Sequence, residues 1–161
     1  MKKLLIVYHS RTGASEQMAK AAEEAARNDI ATLLKTAADA EPEDLLGADG
    51  YIFCAPENLA AIAGAMKDFY DRCYYPVLGE IEGRPYAQMV SAGSDGENAA
   101  RQTARIAQGW RLKMAQPALI ICMHAQSPEE ILAIKTVSED DLNRCRELGA
   151  AMAAGMSMGI Y

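Results

Sequence analysis

The chain has 161 residues, 50% hydrophobic and 24% charged, with 22 acidic against 16 basic side chains and a formal net charge of −6. That length and balance fit one globular domain, residues 1–161, with a sizeable core. The acidic excess argues against nucleic acid or an anionic membrane as the main partner, and no apolar run approaches the roughly 20 residues of a membrane span.

Met1-Lys2-Lys3 leads into an apolar run too short for a secretory signal, so a cytoplasmic location is expected. Lys3 to Tyr8 is a continuous apolar run, the pattern of a parallel strand covered on both faces. His9 and the loop Ser10-Arg11-Thr12-Gly13-Ala14-Ser15 follow, and then a helix from Ala14 to Asn28 with Met18, Ala22, Ala25 and Ala26 on one face. A strand passing through hydroxyls and a glycine into a helix makes an anion site, because the first helical N–H groups lack internal partners and carry the positive end of the dipole. Ser10, Thr12 and Ser15 add hydroxyls, Arg11 adds a charge, and Gly13 permits the tight turn.

Ile30 to Thr36 is the second strand, and Pro42 opens a helical turn in the acidic segment after it. Tyr51 to Ala55 is the third strand, closed by Pro56, with Glu57-Asn58-Leu59-Ala60 as a loop at its C-terminal end. A helix from Ile62 to Cys73 carries Ala65, Met66, Phe69, Tyr70 and Cys73 as its apolar stripe, and Pro76 stops it. Tyr86 to Ser91 is the fourth strand and ends in Ala92-Gly93-Ser94-Asp95-Gly96-Glu97. Asn98 to Met114 forms the next helix, with Trp110 on its apolar stripe, and Ala118 to Met123 the fifth strand. Ser127-Pro128-Glu129-Glu130 has the form of a capping box, and Ser138 caps a last helix from Glu139 to Met156.

Alternating strands and helices imply an α/β fold: a doubly wound three-layer sandwich around a five-stranded parallel sheet of order 2-1-3-4-5. Ligands then bind beyond the C-terminal strand ends, at the switch between the first and third strands, where the His9–Ser15, Pro56–Ala60 and Ala92–Glu97 loops converge. Cys54, Cys73, Cys122 and Cys145 show no C-x-x-C or zinc-like spacing, two of them fall inside predicted strands where a free cysteine is a small hydrophobe, and a structural role is expected rather than a redox or metal one.

Several ligands for this architecture are excluded by the residues. The acidic pair and aspartate of a phosphate-accepting regulator are replaced by His9-Ser10 and Cys54-Ala55-Pro56. Neither G-x-x-x-x-G-K-[ST] nor G-x-G-x-x-G occurs, and the first loop lacks the cysteine of a phosphatase. Ser10-Arg11-Thr12-Gly13-Ala14-Ser15 resembles the flavodoxin phosphate loop [ST]-x-T-G-x-[ST], with Ala14 where an asparagine is common. Pro56-Glu57-Asn58 stands where flavin reductases of this superfamily place a ring-holding loop. Gly64 to Arg72 resembles the G-x-M-K-x-[FL]-[FLIY]-D-R helix after it, and Ser91 to Gly96 matches the third loop.

The chain thus resembles the flavodoxin-like family, on the side of its NAD(P)H-dependent FMN or quinone reductases. The resemblance implies FMN as cofactor, with Ser10, Arg11, Thr12, Gly13, Ala14 and Ser15 at its phosphate. Pro56, Glu57, Asn58 and Leu59 would meet the ring edge, and Ala92, Gly93, Ser94 and Gly96 the pyrimidine end. Loop amides and the start of the next helix would stabilise negative charge on the reduced ring. NAD(P)H and a small electron acceptor such as a quinone are the implied partners, in a homo-oligomeric dimer or tetramer, with no protein nucleophile. Neither ring-side loop contains an aromatic residue, which leaves one ring face open, and Glu57 either points to solvent or displaces the ring. An electron carrier, and a flavodoxin-fold protein that has lost its flavin, are the alternatives. His9, at a strand end beside the first loop, and His124, at the end of the fifth strand, are expected to be structural, with His124 the better placed of the two to border the open ring face.

Overall fold

The computed structural model describes residues 1–161. Strand β1 (Lys3–Tyr8) is the spine of the sheet, buried along Leu4 to Val7. It pairs in parallel with β2 (Ala31–Thr36) on one side, from Lys3↔Ala31 to Tyr8↔Thr36, and with β3 (Gly50–Asn58) on the other. Beyond β3 lies β5 (Pro85–Ala92), with all eight residues buried. The outer position is filled by two short strands in series. β6 (Lys113–Met114) pairs with the start of β5 and β7 (Leu119–Cys122) with its end. Counting that broken edge once gives the doubly wound order 2-1-3-4-5 that the alternation of elements implies.

Helices cover both faces. α1 (Ala14–Ala26) and α6 (Glu139–Ser157) pack together on one, over Leu4, Ile6, Ile52, Ala87 and Met89. They cross closely because α6 has no side chain at Gly149: a Cβ there would lie 2.2 Å from the Ala22 carbonyl oxygen. α2 (Pro42–Leu46), α3 (Gly64–Val77) and α4 (Glu97–Gly109) cover the other face. At its centre Phe53 meets Tyr51, Phe69, Tyr70, Tyr86 and Trp110, with ring centroids 5.5–6.3 Å apart. Each such buried side chain contributes roughly 1.5–3 kcal/mol. Trp110 is fully buried, and its indole N–H donates to the Tyr74 carbonyl at 3.0 Å, so packing is its role. α5 (Pro128–Leu132) begins with the expected capping box, and Ser138 caps α6.

Three boundaries differ from the sequence expectation by more than two residues. α3 runs through Pro76, which sits in its last turn, where its missing N–H takes a donor from one carbonyl, that of Arg72, and leaves the rest of the helix intact. α4 ends at Gly109 rather than Met114, because Trp110 closes it and Arg111 turns into the left-handed region at φ 57°. The third strand continues past Pro56. Cys54 gives its carbonyl to the His9 amide on the β1 side at 3.0 Å. Two residues on, Pro56 turns its missing N–H to the same side, beyond the end of β1, where no ladder bond is lost.

That extension makes a hairpin. β4 (Ala61–Ile62) pairs antiparallel with the end of β3, Glu57↔Ile62 and Asn58↔Ala61, across a two-residue turn at Leu59 and Ala60. Both turn residues have positive φ, 51° and 59°, a conformation that favours asparagine and glycine. α4 holds the hairpin in place: Gln102 Oε1 accepts from the Ile62 amide at 2.8 Å, and Asn98 Nδ2 donates to the Ala60 carbonyl. Left-handed residues with a Cβ are disfavoured by roughly 1–2 kcal/mol each, partly offset by the unfolded-state freedom of an introduced glycine. The double variant Leu59→Asn/Ala60→Gly is therefore expected to be more stable by about 1 kcal/mol in urea unfolding; a loss of stability would show that the turn is not strained.

Candidate functional site

The three loops meet at the C-terminal end of the sheet and are bonded to one another. Ser15 Oγ and Ser91 Oγ lie 2.9 Å apart in the interior, joining the start of α1 to the end of β5. The Cys54 thiol donates to the Ser15 carbonyl at 3.4 Å. Burial pushes that thiol far above its usual range, so it is a fixed neutral donor. The Ser15 hydroxyl, grouped by the sequence with those facing an anion, is thus turned inward; its backbone N–H is what it offers the loop.

Gly13 adopts φ 101°, and its amide donates to Ser10 Oγ at 3.1 Å. The amides of Ser10, Arg11, Thr12, Ala14, Ser15 and Glu16 make no hydrogen bond within the chain. α1 has no side-chain cap, whereas Ser127 and Ser138 cap α5 and α6. The Arg11 guanidinium is exposed and has no carboxylate within 4 Å. A row of unpaired N–H groups at a helix start, beside a free guanidinium and the Thr12 hydroxyl, is chemically fitted to a dianionic phosphate.

Gln17 buttresses this loop, a role the sequence did not reveal. Its Nε2 donates to the carbonyls of Gly13 and Lys135, both at 2.9 Å, and its Oε1 accepts from the Val137 amide at 3.0 Å. The Lys135 amide donates to the Thr12 carbonyl at 2.8 Å. The Lys135 ammonium reaches back to the carbonyls of Glu130, Ile131 and Ala133, closing α5. The strap of residues 133–137 therefore braces the Ser10–Ser15 loop from outside.

On the second loop, Pro56, Glu57 and Asn58 belong to the hairpin and Leu59 stands fully exposed at its tip. Glu57 neither points to solvent nor juts into the cleft. Its Oε1 accepts from the Gly96 amide at 2.9 Å and its Oε2 from the Ala99 amide at 3.1 Å, so it caps α4. The start of α4, which the sequence reading assigned to the reduced ring, is taken by a protein carboxylate.

On the third loop, Ala92 receives the Met123 amide at 2.7 Å, and Gly93 lies so close to Ala125 that a Cβ would sit 2.4 Å from its carbonyl oxygen. The amides of Gly93, Ser94 and Asp95 have no acceptor in the chain. The Cys122 thiol donates to the Gly93 carbonyl at 3.2 Å and lies 3.7 Å from Nδ1 of the exposed His124, which has a left-handed backbone at φ 55°. The cleft thus offers an anion cradle at one end and free amides at the other. That pattern fits a ligand with a phosphate and a flat polar ring edge, which is the shape of FMN.

A doubly wound sheet with such a cradle at its β1/β3 switch point defines a mononucleotide-binding protein. The family model described as NADPH-dependent FMN reductase matches residues 35–126, and the chain belongs to that family. It is 36% identical to a flavodoxin from Aquifex aeolicus, over 60% of this chain and 53% of that protein. It is 33% identical to an NAD(P)H dehydrogenase (quinone) from Acidithiobacillus ferrooxidans, over 45% of this chain and 47% of that one. The chain spans about half the length of these curated relatives. The crystal structure of a flavodoxin, WrbA-like protein from Agrobacterium tumefaciens shares the fold, with a TM-score of 0.74, 20% identity and 99% of both chains covered. No helix is long and apolar enough to cross a membrane.

His9 reports on the cradle. Burial, and next the neighbouring Arg11 charge, hold its imidazole below the usual value of about 6.5. Folded and unfolded chains are both neutral at His9 above that value, so its contribution is fully present there. Below it the unfolded chain protonates first, and stability is lost as pH falls through the folded pKa. An NMR titration is expected to place the His9 midpoint below 6.5, and His9→Gln to reduce the loss of stability between pH 7.5 and 5.5; a midpoint at or above that of a free histidine would contradict the assignment.

Proposed function

We propose that the chain binds FMN in this cleft and works as an NAD(P)H-dependent oxidoreductase that passes electrons to a quinone or similar small acceptor. The observation that carries the reading is the set of unpaired amides of Ser10, Arg11, Thr12, Ala14, Ser15 and Glu16 at the uncapped start of α1. Ser10, Arg11, Thr12, Gly13, Ala14 and Ser15 hold the phosphate, chiefly through backbone N–H groups. Pro56, Glu57, Asn58 and Leu59 form the wall beside the ring edge. Ala92, Gly93, Ser94 and Gly96 form the opposite wall, where the Gly93 and Ser94 amides recognise the ring's carbonyl oxygens.

When bound, the flavin supplies the redox chemistry, taking a hydride and releasing electrons. The protein's part is grip, orientation and charge. The absence of aromatic side chains from both ring-side loops supports an open ring face, accessible to donor and acceptor in turn. The matched family's NADPH dependence and the quinone dehydrogenase among the relatives support the choice of donor and acceptor. The flavodoxin relative supports a second reading, an electron carrier with the same cofactor and little oxidation of NAD(P)H. In either reading residues 1–161 act as one flavodoxin-like domain, assembled as a dimer or tetramer.

Titrating the protein with FMN and with riboflavin, followed by flavin fluorescence, tests the reading. FMN is expected to bind about 100-fold more tightly than riboflavin, a difference of about 2.7 kcal/mol. Thr12→Glu places a carboxylate in the cradle and is expected to remove about that factor for FMN while leaving riboflavin unaffected. Equal affinities for the two flavins would overturn it. NAD(P)H oxidation by the FMN-loaded protein, with quinone added, then separates the reductase from the carrier.

A further inference from the structure

Two polar side-chain atoms in the interior have no hydrogen-bond partner, Tyr70 Oη on α3 and Gln88 Oε1 on β5, and both residues are only 2% exposed. Such orphans are rare, because a buried polar atom without a partner has given up its water and gained nothing in return. Both residues line the same small cavity, which lies between α3, β5 and α4 and behind Pro56 of the cleft wall. The Gln88 amide cannot be turned round to escape. Its Nε2 donates to the Ala100 carbonyl of α4 at 2.9 Å, and the reverse orientation would set an oxygen against that carbonyl. Oε1 is therefore the free end. Burial pushes the Tyr70 phenol far above its usual range, so it keeps its proton and remains a donor. Thr103 of α4 lines the cavity as well, and its hydroxyl neighbours that of Tyr70 without bonding to it.

We infer that this cavity is the seat of one ordered water molecule, bound by Tyr70 and Gln88 as a fixed part of the folded structure. Size is the first argument. The cavity volume of about 10 Å³ suits a single water, which needs roughly 10–15 Å³, and admits no larger guest. Polarity is the second, since cavities that stay dry are apolar and a buried water needs two to four polar partners. Complementarity is the third. The phenol O–H donates and Gln88 Oε1 accepts, so a water accepts from one and donates to the other, with a second hydrogen left for the Thr103 hydroxyl. This water joins α3, β5 and α4 directly behind Pro56 and Ala99, the latter being the residue whose amide holds Glu57. It thus belongs to the foundation of the cleft wall, whichever ligand the cleft takes, and the inference stands apart from the FMN reading.

A crystal structure of the full-length protein, at a resolution that shows ordered water, is the first test. Density for one water within hydrogen-bond distance of Tyr70 Oη and Gln88 Oε1 is expected. An empty cavity, or the two side chains bonded directly to each other, overturns the inference. Urea unfolding gives an independent reading, because wet and dry cavities predict opposite signs. Tyr70→Phe removes one partner of a bound water and is expected to raise the unfolding equilibrium constant about fivefold. In a dry cavity the same change removes an orphan hydroxyl, and the constant would fall. Gln88→Met replaces the amide by an apolar side chain of similar length and takes away the water's acceptor. In that background Tyr70→Phe is expected to change the constant by less than about twofold, since the two residues act through one shared water. A Tyr70→Phe variant at least as stable as the wild type, or an equal effect with and without Gln88→Met, overturns the inference. Should a variant not fold, the density in the wild type decides.

Discussion

The structure turns on backbone donors without acceptors at the start of α1. Folded chains rarely leave a row of main-chain N–H groups unpaired, because each satisfied bond contributes roughly 0.5–1.5 kcal/mol. Here the amides around Gly13 stay open while much of the surrounding structure fixes their direction. β1 ends at the right depth, the Ser15 hydroxyl is locked to Ser91, and Gln17 with the 133–137 strap braces the loop. The loop is braced on several sides while its N–H groups have no acceptor within the chain, the arrangement on which the proposed phosphate site rests.

The second organising contact is Glu57 on α4. It converts a strand end into one wall of the cleft and joins it to the other. It also distinguishes the two helix starts that could meet the cofactor: α1 remains positive for a phosphate, while α4 is filled.

Much of this was legible in the sequence, and the reasons are local. The continuous apolar run of β1, the run of hydroxyls and glycine after it, and the Ser127 and Ser138 caps are short-range signals, and β1 and both caps fall where those signals put them. The hairpin was not legible. Its turn is Leu59-Ala60 rather than an asparagine–glycine pair, and Pro56 reads as a strand stop unless the end of β1 beside it is known. The end of α4 was hidden because Trp110 continues the helical stripe while serving the core. Gln17 was beyond reach, since two of its three partners lie 118 and 120 residues away. Glu57 was recognised as out of place beside a flavin, but its partners on α4 exist only in the folded chain.

The most direct test of the central claim is a 1H–15N correlation spectrum of the protein as FMN is added. If the cradle holds the phosphate, the amide protons of Arg11, Thr12, Ala14, Ser15 and Glu16 move downfield together and saturate with the flavin signal, and riboflavin leaves them in place. If FMN binds while those amides do not move, the phosphate lies elsewhere, and the account of the loop as its site is wrong.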